Sequence, residues 1–149
     1  MREEDTQKLD FLLGHVCHLY RGRVHALFEE LGLYRGQPPV LHALWEQEGL
    51  THSELAARLH VQPATMTKMI RRMERAGFVE RCSDPADQRV SRVYLTPAGR
   101  AIRVDVERIW ERLRQEVFEG FTLEEQVLLR RFLLQIRDNL LRVTASPRC

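Results

Sequence analysis

Two stretches carry side chains that could do chemistry. In "PATMTKMIRRMER" (residues 63–75), Ala64, Thr65, Lys68, Arg71, Arg72 and Arg75 fall on one side of a helical wheel, opposite Met66, Met69, Ile70 and Met73. Hydroxyl, ammonium and guanidinium groups donate hydrogen bonds to phosphate oxygens and to acceptor atoms on base edges. No acid interrupts that face until Glu74 at its margin, whereas a merely solvated helix face tends to mix its charges. Ala64 and Thr65 are small enough for the helix N-terminus to enter a groove about 12 Å wide. Thr65 and Lys68 would then reach base edges, Arg71 and Arg72 guanine or phosphate, and Arg75 phosphate; Thr67 is assigned to the same interface.

The second stretch, "DPADQRVSRVYLT" (84–96), reads as a turn running into a strand. Asp84 and Pro85 are turn formers, and an aspartate there can bond the backbone two residues on. Asp87 and Arg89 lie two apart on an extended segment, so their side chains share one side. A carboxylate so placed can hold the arginine outward, lowering the entropy cost of its entry into a minor groove. Read alone, the pair is equally a surface ion pair worth under ~1 kcal/mol. Arg92 adds a further cation nearby.

Charge distribution sharpens the picture. Residues 1–57 hold five Lys/Arg against nine Asp/Glu, residues 58–92 eight against four, and residues 93–149 ten against eight. The 149-residue chain is nearly neutral at +2, yet its middle is basic, as a phosphate-facing surface requires. A solvated basic face without a partner remains the alternative on charge alone. Nucleophile-elbow, phosphate-loop, dinucleotide-fingerprint, zinc-protease and paired-carboxylate patterns are absent from the sequence, so it predicts neither an enzyme nor a bound cofactor.

The elements that must position these residues follow from periodicity. Leu9, Leu13, Val16, Tyr20, Val24, Leu27 and Leu31 recur at steps of three and four, which predicts one long amphipathic helix ending near Gly32. Pro38 or Pro39 opens the next helix, which Gly49 stops. Thr51 with Glu54 forms a capping box ahead of a short helix that buries Leu55, Ala56 and Leu59. Pro63 and Gly77 bracket the basic helix, and "FVERCS" and "RVSRVYL" read as two strands of a hairpin. Thr96-Pro97 opens a second long helix with Ile102, Val106, Ile109, Leu113 and Val117 on one face. A box of Thr122 and Glu125 opens the last helix, with Leu129, Phe132, Leu133, Ile136 and Leu140.

The expected fold is mainly α with a small β-hairpin wing: a winged helix-turn-helix flanked by N- and C-terminal dimerisation helices. It forms a single domain over 1–149, with a DNA-binding lobe at 36–97 and dimerisation helices at 6–32 and 98–143. The outer helices carry apolar stripes that a lobe of about 60 residues cannot cover, and the simplest partner is a second copy of the chain. "MREEDTQKLD" lacks the charge and apolar run of a signal peptide, and no apolar stretch approaches the roughly 18 residues a membrane span needs. Cys17, Cys82 and Cys149 are odd in number and lack metal-ligand spacing, which points to a reducing cytoplasm.

At these residues the chain resembles the MarR family (multiple antibiotic resistance regulators) over nearly its whole length. "LTHSELAARLHVQPATMTKMIRRMERAGFVER" is similar to the family's helix-turn-helix, and "DPADQRVSRVYLTPAG" to its wing, usually D-x-R-D-x-R followed by a strand and L-T-x-x-G. Asp84, Asp87, Arg89, Leu95-Thr96 and Gly99 match; Ala86 replaces the middle arginine, and Gln62 stands where a serine cap is usual. The resemblance implies a cytoplasmic homodimer that binds pseudo-palindromic operator DNA, usually as a repressor. It also implies a cleft that takes a small, often aromatic or anionic, effector whose binding changes the spacing of the two recognition helices.

For that cleft the sequence offers His15, His18, Tyr20, Arg21 and Trp45. A redox-responsive regulator is the alternative that Cys17 or Cys82 raises, but peroxide-sensing members carry a cysteine early in the first helix where this chain has Asp10, and Cys17 reads as a buried thiol. A metal-responsive regulator would draw on His15, His18, His25 and His42; zinc-sensing relatives use a histidine pair where this chain has Arg108 and Arg112, so no metal is expected. A winged helix used only for protein contact is the other alternative, and it would not need an acid-free helix beside an arginine-bearing wing.

Overall fold

The computed structural model of the chain describes residues 3–145, with side chains from Lys8 onward, and among these it has seven helices and three strands. Cys149 lies outside the described residues. In chain order the elements are α1 (Glu3–Glu29), α2 (Gln37–Glu46), β1 (Leu50–Thr51), α3 (His52–Leu59), α4 (Pro63–Arg75), β2 (Val79–Ser83), β3 (Ser91–Leu95), α5 (Pro97–Ala101), α6 (Arg103–Val117) and α7 (Leu123–Ala145). The chain forms two compact units, one through Glu111 and one from Arg112.

In the first unit, local sequence sets most boundaries. Pro63 opens α4, and Gly77 lies just beyond its end at φ 86°, a left-handed conformation that glycine adopts without a Cβ penalty. The Thr51 capping box is complete. Thr51 Oγ1 accepts from the Glu54 N–H at 3.1 Å, and Glu54 Oε2 accepts from the Thr51 N–H at 2.9 Å. Thr51→Ala removes the first of these bonds and should lower stability by about 1 kcal/mol, roughly 3 °C in a thermal melt.

The apolar sides of these helices meet in one core. Met66, Ile70 and Met73 of α4 are sealed from solvent together with Leu41, Leu44 and Leu55 of α2 and α3. Met69 is only half-buried, and Leu59 likewise. Ile102, Val106 and Ile109 are buried as their spacing predicts. Burying side chains of this size contributes about 1.5–3 kcal/mol each, which fixes α4 with its basic face outward.

The sheet has one strand more than the sequence indicated. β1 pairs antiparallel with β3 (Leu50↔Val93), and β3 pairs with β2 (Val79↔Leu95 through Ser83↔Ser91), in the order β1-β3-β2. The helix expected after Thr96-Pro97 is bent at Ile102, which divides α5 from α6. Ile102 N–H still donates to Ala98 O and Val106 N–H to Ile102 O, while the Gly99 carbonyl accepts from Trp45 Nε1 instead.

In the second unit, Phe118 and Phe121 stack edge-to-face at 6.2 Å across the α6–α7 turn. The Thr122–Glu125 box caps α7. α7 has no fully buried residue, and Leu123, Val127, Phe132, Leu133 and Leu140 are exposed. In the first unit, Leu9, Leu13, Val16 and Tyr20 of α1 are likewise exposed. Cys17 is exposed too, a correction to the buried thiol the sequence suggested: only the last turns of α1, around Leu27 and Phe28, enter the core. Among the described residues no helix is long and apolar enough to cross a membrane.

Candidate nucleic-acid interface

α4 presents Ala64, Thr65, Lys68, Arg71, Arg72 and Arg75 to solvent. Thr67 departs from that set: it is half-buried, and its Oγ1 lies 3.3 Å from His52 Nδ1 on α3, so it faces the neighbouring helix. Gln62 precedes Pro63 without a side-chain cap bond, so no carboxylate or hydroxyl from that position occupies the positive end of the helix.

Glu74, the acid at the margin, is bound by Arg81 of β2 in a two-pronged pair, Nε–Oε2 at 3.0 Å and Nη2–Oε1 at 3.1 Å. That hydrogen bonding holds the Glu74 carboxyl below its usual range and raises the Arg81 guanidinium. The pair neutralises the acid beside the basic face and ties the end of α4 to the hairpin. Sequence reasoning missed it, because two residues seven apart meet here only once the chain has reversed after Gly77.

The hairpin turn answers why opposite charges crowd residues 84–92. Asp84 Oδ1 accepts from the Ala86 N–H at 2.8 Å, closing the turn as expected. Its Oδ2 accepts from Arg92 Nε at 2.7 Å, and Arg92 Nη1 donates to the Gly49 carbonyl at 2.8 Å. The Ala86 bond first, then Arg92, holds the Asp84 carboxyl below the ordinary carboxylate range. Arg92 is thereby corrected from a groove-facing cation to a half-buried anchor that ties the hairpin to the turn before β1. The register could have revealed it: Asp84 bonds opposite Val90, which makes Arg92 its diagonal cross-strand neighbour.

Asp87 and Arg89 form the second device. Asp87 Oδ1 accepts from the Arg89 N–H at 3.0 Å and from its Nε at 3.4 Å. The Arg89 side chain is 93% exposed, projecting from the tip of the hairpin under carboxylate restraint.

A cleft of about 550 Å³ opens in the first unit. His18, Tyr20 and Arg21 line it as the sequence anticipated, and Phe28, Arg35 and Trp110 complete an aromatic and cationic wall. Phe28 and Trp110 pack edge-to-face at 5.0 Å. His15 and Trp45 are not brought into it. His15 lies against Phe11, and Trp45 donates its Nε1–H to the Gly99 carbonyl at 2.9 Å with the Arg103 guanidinium 5.7 Å from its ring centre. Arg35 and Trp110 were missed because they come from the loop before α2 and from the middle of α6, beyond the bend.

Such a lobe, a helix-turn-helix whose second helix bears an open basic face beside a pinned hairpin, is that of a winged-helix transcriptional regulator. The MarR family model matches residues 33–91. Transcriptional regulator AdcR of Streptococcus pneumoniae is 36% identical over 70% of this chain and 73% of its own length. The HTH-type transcriptional regulator TtmR of Methylorubrum extorquens is 30% identical over 92% of this chain and 71% of its own. Among solved structures, a putative MarR-like regulator from Bacillus cereus superposes with a TM-score of 0.78 at 28% identity, covering 92% of this chain and 99% of that one. A mutant MarR of E. coli complexed with operator DNA gives 0.76 at 26% identity, covering 89% and 95%. The chain belongs to the MarR family of transcriptional regulators.

Proposed function

We propose that the chain acts as a cytoplasmic homodimer that represses transcription by binding a pseudo-palindromic operator, and that a small organic effector relieves it. The observation that carries the reading is the face of α4, free of unpaired acid, beside an arginine held outward at the hairpin tip. Ala64, Thr65 and Lys68 enter a major groove, Arg71, Arg72 and Arg75 hold its edges, and Arg89, steadied by Asp87, enters the adjoining minor groove. The E. coli relative was solved in complex with operator DNA, which supports operator binding by this chain. The exposed apolar faces of α1 and α7 support dimerisation, since a lone chain would leave both in water.

The cleft is the effector site. Arg21 and Arg35, with aromatic walls from Tyr20, Phe28 and Trp110, suit a small aromatic anion. Binding there would change the spacing of the recognition helices, which must enter successive major grooves about 34 Å apart.

Selection of bound sequences from a random DNA pool tests the reading. Two inverted half-sites about one helical turn apart should emerge. In the same assay Thr65→Ala or Lys68→Ala should shift the selected bases, while Arg75→Ala should weaken specific and random duplexes alike. An unstructured pool, or a single unrepeated half-site, would reject the proposal.

A further inference from the structure

We propose that His52 is a positioning residue for the recognition helix, holding α4 against α3 only while its ring is neutral, so that operator binding weakens on acidification. His52 is the first residue of α3 and lies in the seam between α3, α4 and β2. Its Nδ1 is 3.3 Å from Thr67 Oγ1, the single side-chain hydrogen bond between the two helices of the motif among the described residues. Its other nitrogen, Nε2, is buried without a hydrogen-bond partner.

That arrangement suits one protonation state. In the neutral ring a proton on Nδ1 donates to the Thr67 hydroxyl, and Nε2 is left as a buried lone pair. Protonation places a donor on Nε2, where the seam provides no acceptor, and an unsatisfied buried donor is costly. The charged groups facing the ring are Arg71 and Glu74 of α4 and Arg81 of β2. The two arginines repel an imidazolium, and the one acid is already engaged by Arg81 through both its oxygens. Burial first, then Arg81 and Arg71, accordingly hold the ring below the ordinary imidazole range.

The consequence has a definite sign. An unfolded ring takes up its proton near pH 6.5, and the folded ring only at lower pH. The stability of the seam is therefore complete above about pH 6.5 and declines as pH falls from there toward the lower folded value. Thr67 sits between Met66, which anchors α4 in the core, and Lys68 on the exposed face. Loosening its contact changes the pose of the side chains proposed above to read bases.

Given operator binding as proposed above, affinity for the selected duplex is measured from pH 8 to 5.5 for the wild type and for His52→Gln. The two proteins differ only at residue 52, so the ratio of their affinities isolates the ring. If only the neutral ring supports specific binding, that ratio should fall steadily as the pH is lowered toward 5.5. Because the folded pKa lies below 6.5, the fall should stay under about tenfold. Random duplex should show no such change. Parallel profiles for the two proteins overturn the proposal.

A second measurement needs no DNA and so separates this proposal from the operator reading. In the free protein, ring-nitrogen NMR should show the Nδ1–H tautomer of His52 titrating below the ordinary imidazole value of 6.5. Protection factors of the α4 amides, which remove the intrinsic slowing of exchange at lower pH, should fall between pH 8 and 5.5 more in the wild type than in His52→Gln. A His52 that titrates at or above 6.5, or an equal change of α4 protection in the two proteins, overturns it even if the chain binds no duplex.

Discussion

Gly99→Ala should destabilise the winged-helix lobe by about 3 kcal/mol, the upper end of the ordinary cost of overpacking, and lower the melting temperature by about 10 °C. Gly99 lies in the first turn of α5, where its N–H donates to Thr96 Oγ1 at 3.1 Å and its carbonyl accepts from Trp45 Nε1 at 2.9 Å. A Cβ there would sit 2.1 Å from the Phe78 carbonyl oxygen and 3.1 Å from Leu95 Cδ2. That oxygen cannot simply yield, because it accepts from the Thr96 N–H at 3.1 Å at the junction of the hairpin with α5. Relief therefore means moving α5 and losing the Trp45 bond, which joins residues 54 apart in sequence. Gly120→Ala is the comparison: at φ 82° it is strained, but a Cβ there meets nothing within 4 Å, so only the left-handed cost of about 1–2 kcal/mol applies. Melting curves of the two variants decide the matter. If Gly99→Ala melts no lower than Gly120→Ala, close packing at the hairpin–α5 junction is not what excludes a side chain there.

The parts of this structure legible in the sequence are those fixed by interactions a few residues long. The Thr51 and Thr122 boxes, Pro63 at the head of α4, the buried Met66–Ile70–Met73 face and the Asp87–Arg89 bracket are all of that kind. Each depends on spacing alone, and each is found as read. What escaped depends on chain segments that meet only after folding. β1 is two residues long and exists because β3 runs beside it, more than forty positions later. Arg92 looked like a free cation, yet the Gly49 carbonyl and the Asp84 carboxylate claim it from either side. Trp45 looked like a cleft aromatic, yet its indole N–H finds the Gly99 carbonyl. The bend at Ile102 falls on an apolar residue that keeps its place on the buried face, so periodicity across 97–117 could not reveal it. Charges show the same division: α4 reads correctly as a basic face, whereas the neutralisation of Glu74 requires the hairpin to fold back onto it.

Arg89→Ala should weaken operator affinity by about 1–3 kcal/mol, a factor of about 5 to 150, while leaving the melting temperature almost unchanged. The second half follows from exposure: the side chain is 93% exposed and its pair with Asp87 is a surface pair, worth at most about 1 kcal/mol. The first half follows from what a duplex offers, a narrow and strongly negative minor groove beside the major groove that α4 would occupy. Removing one phosphate-neutralising cation should also reduce the slope of log affinity against log salt by about 1. Asp87→Ala separates two accounts of the bracket. If the carboxylate only repels DNA, its loss should tighten binding. If it holds Arg89 ready, the freed side chain must surrender its rotamer freedom on binding, at up to about 2 kcal/mol, and binding should weaken severalfold. The double variant should then bind no worse than Arg89→Ala alone, because a brace without an arginine to hold contributes nothing. Tighter binding by Asp87→Ala, or full affinity in Arg89→Ala, would remove the hairpin tip from the interface and leave α4 to carry recognition alone.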